Sequence, residues 1–112
     1  MIPYGRQDIS EADLAAVREV LTSDFITQGP EIAAFEADLA RYCNVKHGVA
    51  MNSATSALHV AYMALGLGQG DLLWTSPNTF VATSNAALYC GADVDFIDID
   101  PDTYNMLSLI HI

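Results

Sequence analysis

The sequence predicts an α/β fold with a mainly parallel sheet and flanking helices, and three observations lead there. Short apolar runs alternate with stretches of helical period along the second half of the chain, the pattern of strand–helix–strand crossovers. Glycines stand where two of the helical stretches stop, at Gly66 and Gly91, as a left-handed helix end favours. A composition of 52% hydrophobic and 16% charged residues over 112 positions supplies one modest core, so the chain reads as a single globular unit.

Taken in order, the elements follow from local chemistry. Ser10 with Asp13 three residues on resembles a capping box, and Leu14, Val17, Val20 and Leu21 continue at helical spacing, which predicts a helix over 11–22. In SDFITQGP (23–30), Gly29 breaks the chain and Pro30 suits the first turn of a second helix, marked by Ile32, Phe35, Leu39 and Tyr42. HGVAM (47–51) is short, apolar and bounded by polar residues, and predicts a strand. A tight loop and a helix through Leu58, Ala61, Tyr62 and Leu65 follow it. DLLWTS (71–76) predicts a strand, VATSNAALYC (81–90) a helix, and DVDFIDI (93–99) a further strand.

The junction NSATSALH (52–59) carries the densest run of small and hydroxyl residues. A helix starting just after a strand exposes unpaired N–H groups and the positive end of its dipole, and small residues let an anion approach the backbone. Ser53, Thr55 and Ser56 could therefore cradle a phosphate; the same residues are also ordinary helix caps, and spacing alone favours the cap. Neither the lysine of a P-loop nor the glycines of the dinucleotide fingerprint is present.

Several function classes are excluded or unsupported. Fourteen acidic against four basic side chains give a net charge of −10, which repels a phosphate backbone, so nucleic acid is not expected as a partner. MIPYGRQDIS has neither a basic nor an apolar leader segment, and no run reaches the roughly 18 apolar residues of a membrane span, which points to the cytoplasm and away from a membrane. Cys43 and Cys90 form no C-x-x-C pair and are expected as buried thiols. Asp93, Asp95, Asp98, Asp100 and Asp102 suggest a calcium loop, but glycine and glutamate are missing at the required offsets, so they are expected as solvated strand and turn acids. His47, His59 and His111 lack metal-ligand spacing, and no metal is expected.

Four motifs recur in a fixed order: TQGP (27–30) with Phe35 and Glu36, NSATSAL (52–58), SPNTFVATSNAALYCGA (76–92) and DVDFIDIDPDTYN (93–105). Together they resemble the nucleotide-sugar aminotransferases of the DegT/DnrJ/StrS type over about residues 2–105. IPYGRQDIS with NSATSALH looks most like the members that serve pseudaminic-acid biosynthesis. The resemblance implies the N-terminal part of the large domain of a fold type I transferase dependent on pyridoxal 5'-phosphate (PLP). It implies amino transfer from glutamate to a UDP-linked 4-keto-6-deoxy amino sugar, in pseudaminic-acid or related surface-sugar biosynthesis, by a homodimer with active sites at its interface. Carried over residue by residue, Ala54 and Thr55 would bind the PLP phosphate, and Phe80 would stack on the pyridine ring. Tyr4, Asp24, Phe25, Ile26 and Thr27 would line the sugar-nucleotide site. Without the resemblance, Phe80 reads as a core residue at a strand end and 24–27 as a surface turn.

One departure from the family is an absence. Lys46 does not match the Schiff-base lysine, which lies well downstream in family members, so no catalytic residue is assigned. Residues 1–105 are expected to be an N-terminal fragment of an aminotransferase domain. MLSLIHI (106–112) is expected to be an atypical tail, such as a truncated or misassembled reading frame would produce. Lacking its covering segments, such a chain should expose sheet edges and apolar patches. The competing reading is a non-catalytic α/β interaction or regulatory module with an aminotransferase-like fold.

Overall fold

In the computed structural model residues 5–107 are described, and the chain divides into two units, Met1–Ala50 and Met51–Ile112. The expectation of a single globular unit gives way here. Every fully or nearly buried core residue among those described belongs to the second unit, and the large apolar side chains of the first, the half-buried Val20 apart, stay exposed.

The first unit holds α1 (Glu11–Thr22) and α2 (Pro30–Tyr42). The capping box at α1 is complete: the Asp13 N–H donates to Ser10 Oγ at 3.3 Å, and the Ser10 N–H donates to Asp13 Oδ2 at 2.7 Å. These bonds, the backbone one first, hold the Asp13 carboxyl below its ordinary pKa. The α2 helix opens with Pro30 at its first position, where no N–H is needed. It closes on a left-handed Asn44, with the Val45 N–H reaching Ala40 O at 2.9 Å and the Asn44 N–H reaching Arg41 O at 3.2 Å. Cys43, the C-cap of α2, is exposed, which corrects its expected burial; it ends the helix and faces no core.

The second unit runs α3 (Ala54–Ala64), β1 (Leu72–Thr75), α4 (Ala82–Tyr89) and β2 (Asp93–Phe96). The strands pair in parallel, with Leu72 opposite Asp93 and Thr75 opposite Phe96, and α4 crosses between them. Alanines let α4 lie close to its neighbours: Ala82, Ala86 and Ala87 are buried with Ala92 and Ile97, and α4 packs on α3 and on both strands. Gly66 and Gly91 end α3 and α4 in left-handed geometry, each followed by the two reverse N–H bonds of a Schellman turn.

Residues 47–51 form no strand. Hydrogen bonding in this segment runs instead to α2: the Ala50 N–H donates to Glu36 Oε1 at 2.8 Å. Gly48 approaches α2 so closely that an added Cβ would lie 2.7 Å from Glu36 O. A strand is defined by its ladder, and among the described residues HGVAM has no ladder partner. An apolar run of this length looks the same in sequence whether paired or merely extended.

Candidate cofactor and substrate site

The first turn of α3 separates the two roles that its sequence left open. Ser53 is the N-cap, extended at φ −160° and ψ 156°, and its Oγ accepts the Ser56 N–H at 3.1 Å. The hydroxyls of Ser53 and Ser56 also lie 3.0 Å apart. Capping therefore occupies Ser53 and Ser56. The N–H groups of Ala54 and Thr55 and the Thr55 hydroxyl have no hydrogen-bond partner among the described residues. Ala54 is exposed and Thr55 half-buried.

Two backbone donors and one hydroxyl at the positive end of a helix match a phosphate dianion in number and in sign. The first turn of α3 carries no acidic residue, whereas Glu11 and Asp13 sit in that of α1 and Glu31 in that of α2. In a chain of net charge −10 this leaves the start of α3, like that of α4, without a competing carboxylate, and of these two only α3 has a side-chain cap that sets its free N–H groups.

Phe80 precedes α4 on the connection that leaves the carboxyl end of β1, the side where ligands gather in parallel sheets. It is 75% exposed, so it is not the core phenylalanine that the residues alone suggested. A flat apolar ring offered to solvent suits a stacking surface for an aromatic cofactor. Ala54, Thr55 and Phe80 belong to one unit, on or next to two helices that pack together.

Asp24, Phe25, Ile26 and Thr27 belong to the other unit, in the α1–α2 loop. The loop folds back on itself. Ser23 Oγ donates to Val20 O at 2.8 Å and accepts the Phe25 N–H at 3.2 Å, and a Cβ on Gly29 would stand 3.0 Å from the Phe25 Cβ. Phe25 and Ile26 are turned outward, available to a ligand and unused by any core. Tyr4 lies outside the described residues. Lys46 is exposed, in the irregular segment after α2.

The aspartate run resolves into turn chemistry. Asp100 Oδ1 accepts the N–H groups of Thr103 at 2.8 Å and Asp102 at 3.0 Å and the Thr103 hydroxyl at 3.1 Å. These bonds, the Thr103 N–H foremost, hold its carboxyl below the ordinary value. Among the described residues no three His, Cys, Asp or Glu side chains converge as a metal site, and no helix is long and apolar enough to cross a membrane.

The parallel βαβ unit with α3 packed on its crossover helix is an α/β fragment, and solved structures show the same fragment within PLP-dependent aminotransferases. The Spr1654 sugar aminotransferase of Streptococcus pneumoniae in its PLP form superposes with a TM-score of 0.90 at 34% identity, over 95% of this chain and 27% of that one. PseC of Helicobacter pylori, an aminotransferase of pseudaminic-acid biosynthesis, superposes with a TM-score of 0.89 at 36% identity, over 98% of this chain and 30% of that one. The chain belongs to the DegT/DnrJ/EryC1/StrS aminotransferase family, which it matches over residues 7–109. It is 48% identical over 102 residues to the UDP-4-amino-4,6-dideoxy-N-acetyl-β-L-altrosamine transaminase of Campylobacter jejuni, covering 91% of this chain and 27% of that enzyme. The chain thus spans about a quarter of the length of the curated relatives it matches.

Proposed function

We propose that this chain supplies the phosphate cradle, the ring-stacking surface and one wall of the sugar site of a PLP-dependent transaminase. The enzyme acts in the cytoplasm as a homodimer, moving an amino group from glutamate to a UDP-linked 4-keto-6-deoxy amino sugar in pseudaminic-acid or related surface-sugar biosynthesis. The relatives named above support the substrate class. The observation that carries the cofactor assignment is the first turn of α3, where Ser53 takes the cap and leaves the Ala54 N–H, the Thr55 N–H and the Thr55 hydroxyl unclaimed.

PLP, when bound, supplies the electron-accepting ring on which an amino group is exchanged. The chain's own residues bind and orient. Ala54 and Thr55 hold the phosphate as a fixed anchor, and such an anchor acts about equally on ground and transition states. Phe80 covers one face of the ring and keeps water from it. The loop from Asp24 to Thr27 contacts the sugar nucleotide through outward-facing Phe25 and Ile26 and the polar groups beside them.

Pyridoxamine 5'-phosphate tests this reading without condensing on Lys46, because an amine forms no imine with lysine. Titrated into the isotope-labelled chain, it should shift the amide signals of Ala54 and Thr55 and the ring signals of Phe80. Inorganic phosphate should shift the two amides and leave the ring alone. Shifts scattered over other residues, with Ala54 and Thr55 unmoved by either probe, would refute the assignment.

A further inference from the structure

The segment that presents Phe80 has no side-chain cap of its own. Val81, the N-cap of α4, is in right-handed helical geometry and has no side chain that could accept a hydrogen bond. Backbone leading into a helix without a cap frays, because its first N–H groups lack partners. Here one residue gathers the connections. The Thr83 N–H donates to Phe80 O at 3.1 Å, and its hydroxyl lies 3.2 Å from that of Thr79, so the turn carrying Phe80 is closed from both sides. The Thr83 carbonyl accepts the Tyr62 hydroxyl at 3.4 Å, a long bond that comes from α3. Thr83 and Tyr62 are both half-buried, which limits competition from water.

We infer that Thr83 is the positioning residue for the Phe80 ring, with Tyr62 fixing Thr83 to the helix whose first turn cradles the phosphate. The inference rests on the reading of Phe80 as the stacking surface. The N–H bond to the Phe80 carbonyl is a main-chain bond that any residue at 83 would make; what the threonine adds is the hydroxyl pair with Thr79, which fixes the backbone on the other side of Phe80, and those torsions decide which side-chain rotamers are open to the ring. The Thr79–Thr83 hydroxyl pair stiffens the same turn, and the tie to α3 links the ring's support to the helix that carries the anchor. Neither threonine touches the cofactor in this scheme.

The test uses the full 112-residue chain with Thr83→Val, Thr83→Ser and Tyr62→Phe, and pyridoxamine 5'-phosphate and inorganic phosphate as probes. Thr83→Val keeps the shape of the side chain and removes only the hydroxyl. It should weaken pyridoxamine 5'-phosphate binding about fivefold, the usual scale of one neutral hydrogen bond, and leave inorganic phosphate binding unchanged. Thr83→Ser should restore the affinity, and Tyr62→Phe should lose less than Thr83→Val. In the ligand-free chain, three-bond couplings should show one Phe80 rotamer that becomes averaged in Thr83→Val. A fall in affinity for both probes alike marks a merely structural residue and overturns the inference, as does an unchanged Phe80 rotamer. If the parent's Phe80 ring never responds to pyridoxamine 5'-phosphate, the stacking role fails, and the rotamer measurement still decides whether Thr83 positions the ring.

Discussion

Replacing Thr55 by valine isolates the phosphate anchor. The two side chains have nearly the same shape and similar helix propensity, so α3 should be preserved. The Thr55 hydroxyl has no partner among the described residues, so its removal breaks no internal bond; Ser53 still caps the helix through the Ser56 N–H. What is lost is one hydrogen bond to a charged phosphate oxygen, worth about 1.5–3 kcal/mol. That converts to a roughly tenfold to 150-fold loss of pyridoxamine 5'-phosphate affinity. Thermal or urea unfolding of the ligand-free variant should match the parent within the ±0.5 kcal/mol or so typical of a neutral surface change. Calorimetric titration paired with an unfolding curve reads both quantities. An affinity within about threefold of the parent, below the weakest charged hydrogen bond expected, would refute the anchor. A stability loss on the scale of a missing cap would show instead that Thr55 is structural.

Ser53→Ala removes the cap itself and should cost about 1 kcal/mol of stability, with faster hydrogen exchange at the Ser56 amide. Gly48→Ala places a Cβ 2.7 Å from Glu36 O, a contact that backbone must yield to, and should destabilise the chain by roughly 1–3 kcal/mol on urea unfolding. Glu36→Ala leaves the Ala50 N–H without its acceptor and should cost about 1–3 kcal/mol, with Glu36→Gln recovering part because an amide oxygen still accepts. The Asp100 carboxyl is held below its ordinary value of 3.8, so its contribution is fully present above that value and disappears as pH falls through the lower folded-state value. Asp13 behaves in the same direction. Acid unfolding followed by circular dichroism should therefore be shallower in Asp100→Asn than in the parent; an identical acid limb would remove Asp100 from the explanation.

The helices were legible because their signals are local. Ser10 and Asp13, Gly29 and Pro30, and Gly66 and Gly91 set boundaries through bonds made within a few residues, and α1 begins and ends as its periodicity predicts. The stop at Asn44 carries a weaker signal, since asparagine takes the left-handed conformation less freely than glycine. HGVAM was misread because pairing is a non-local property: nothing within five residues says that the Ala50 N–H will be taken by a glutamate fourteen positions earlier. The expected burial of Cys43, and the core position that the residues without the resemblance give Phe80, fail for the same reason, burial being a matter of what else arrives at that spot.

By itself the sequence determined the α/β alternation, the crossover between β1 and β2, the helix ends and the family, all carried by short-range chemistry or by ordered motifs. Only the three-dimensional structure decided how the hydroxyls at the start of α3 divide their work. Ser53, Thr55 and Ser56 are equivalent hydrogen-bonding groups on paper, and the torsions at Ser53 alone determine that it caps Ser56. The same holds for the Thr83 carbonyl, which meets the Tyr62 hydroxyl on α3 only because α4, lined with alanine, packs against α3. The Ser53 cap joins residues three apart and is decided by local torsions, whereas the Tyr62 hydroxyl finds its acceptor twenty-one residues away only through packing.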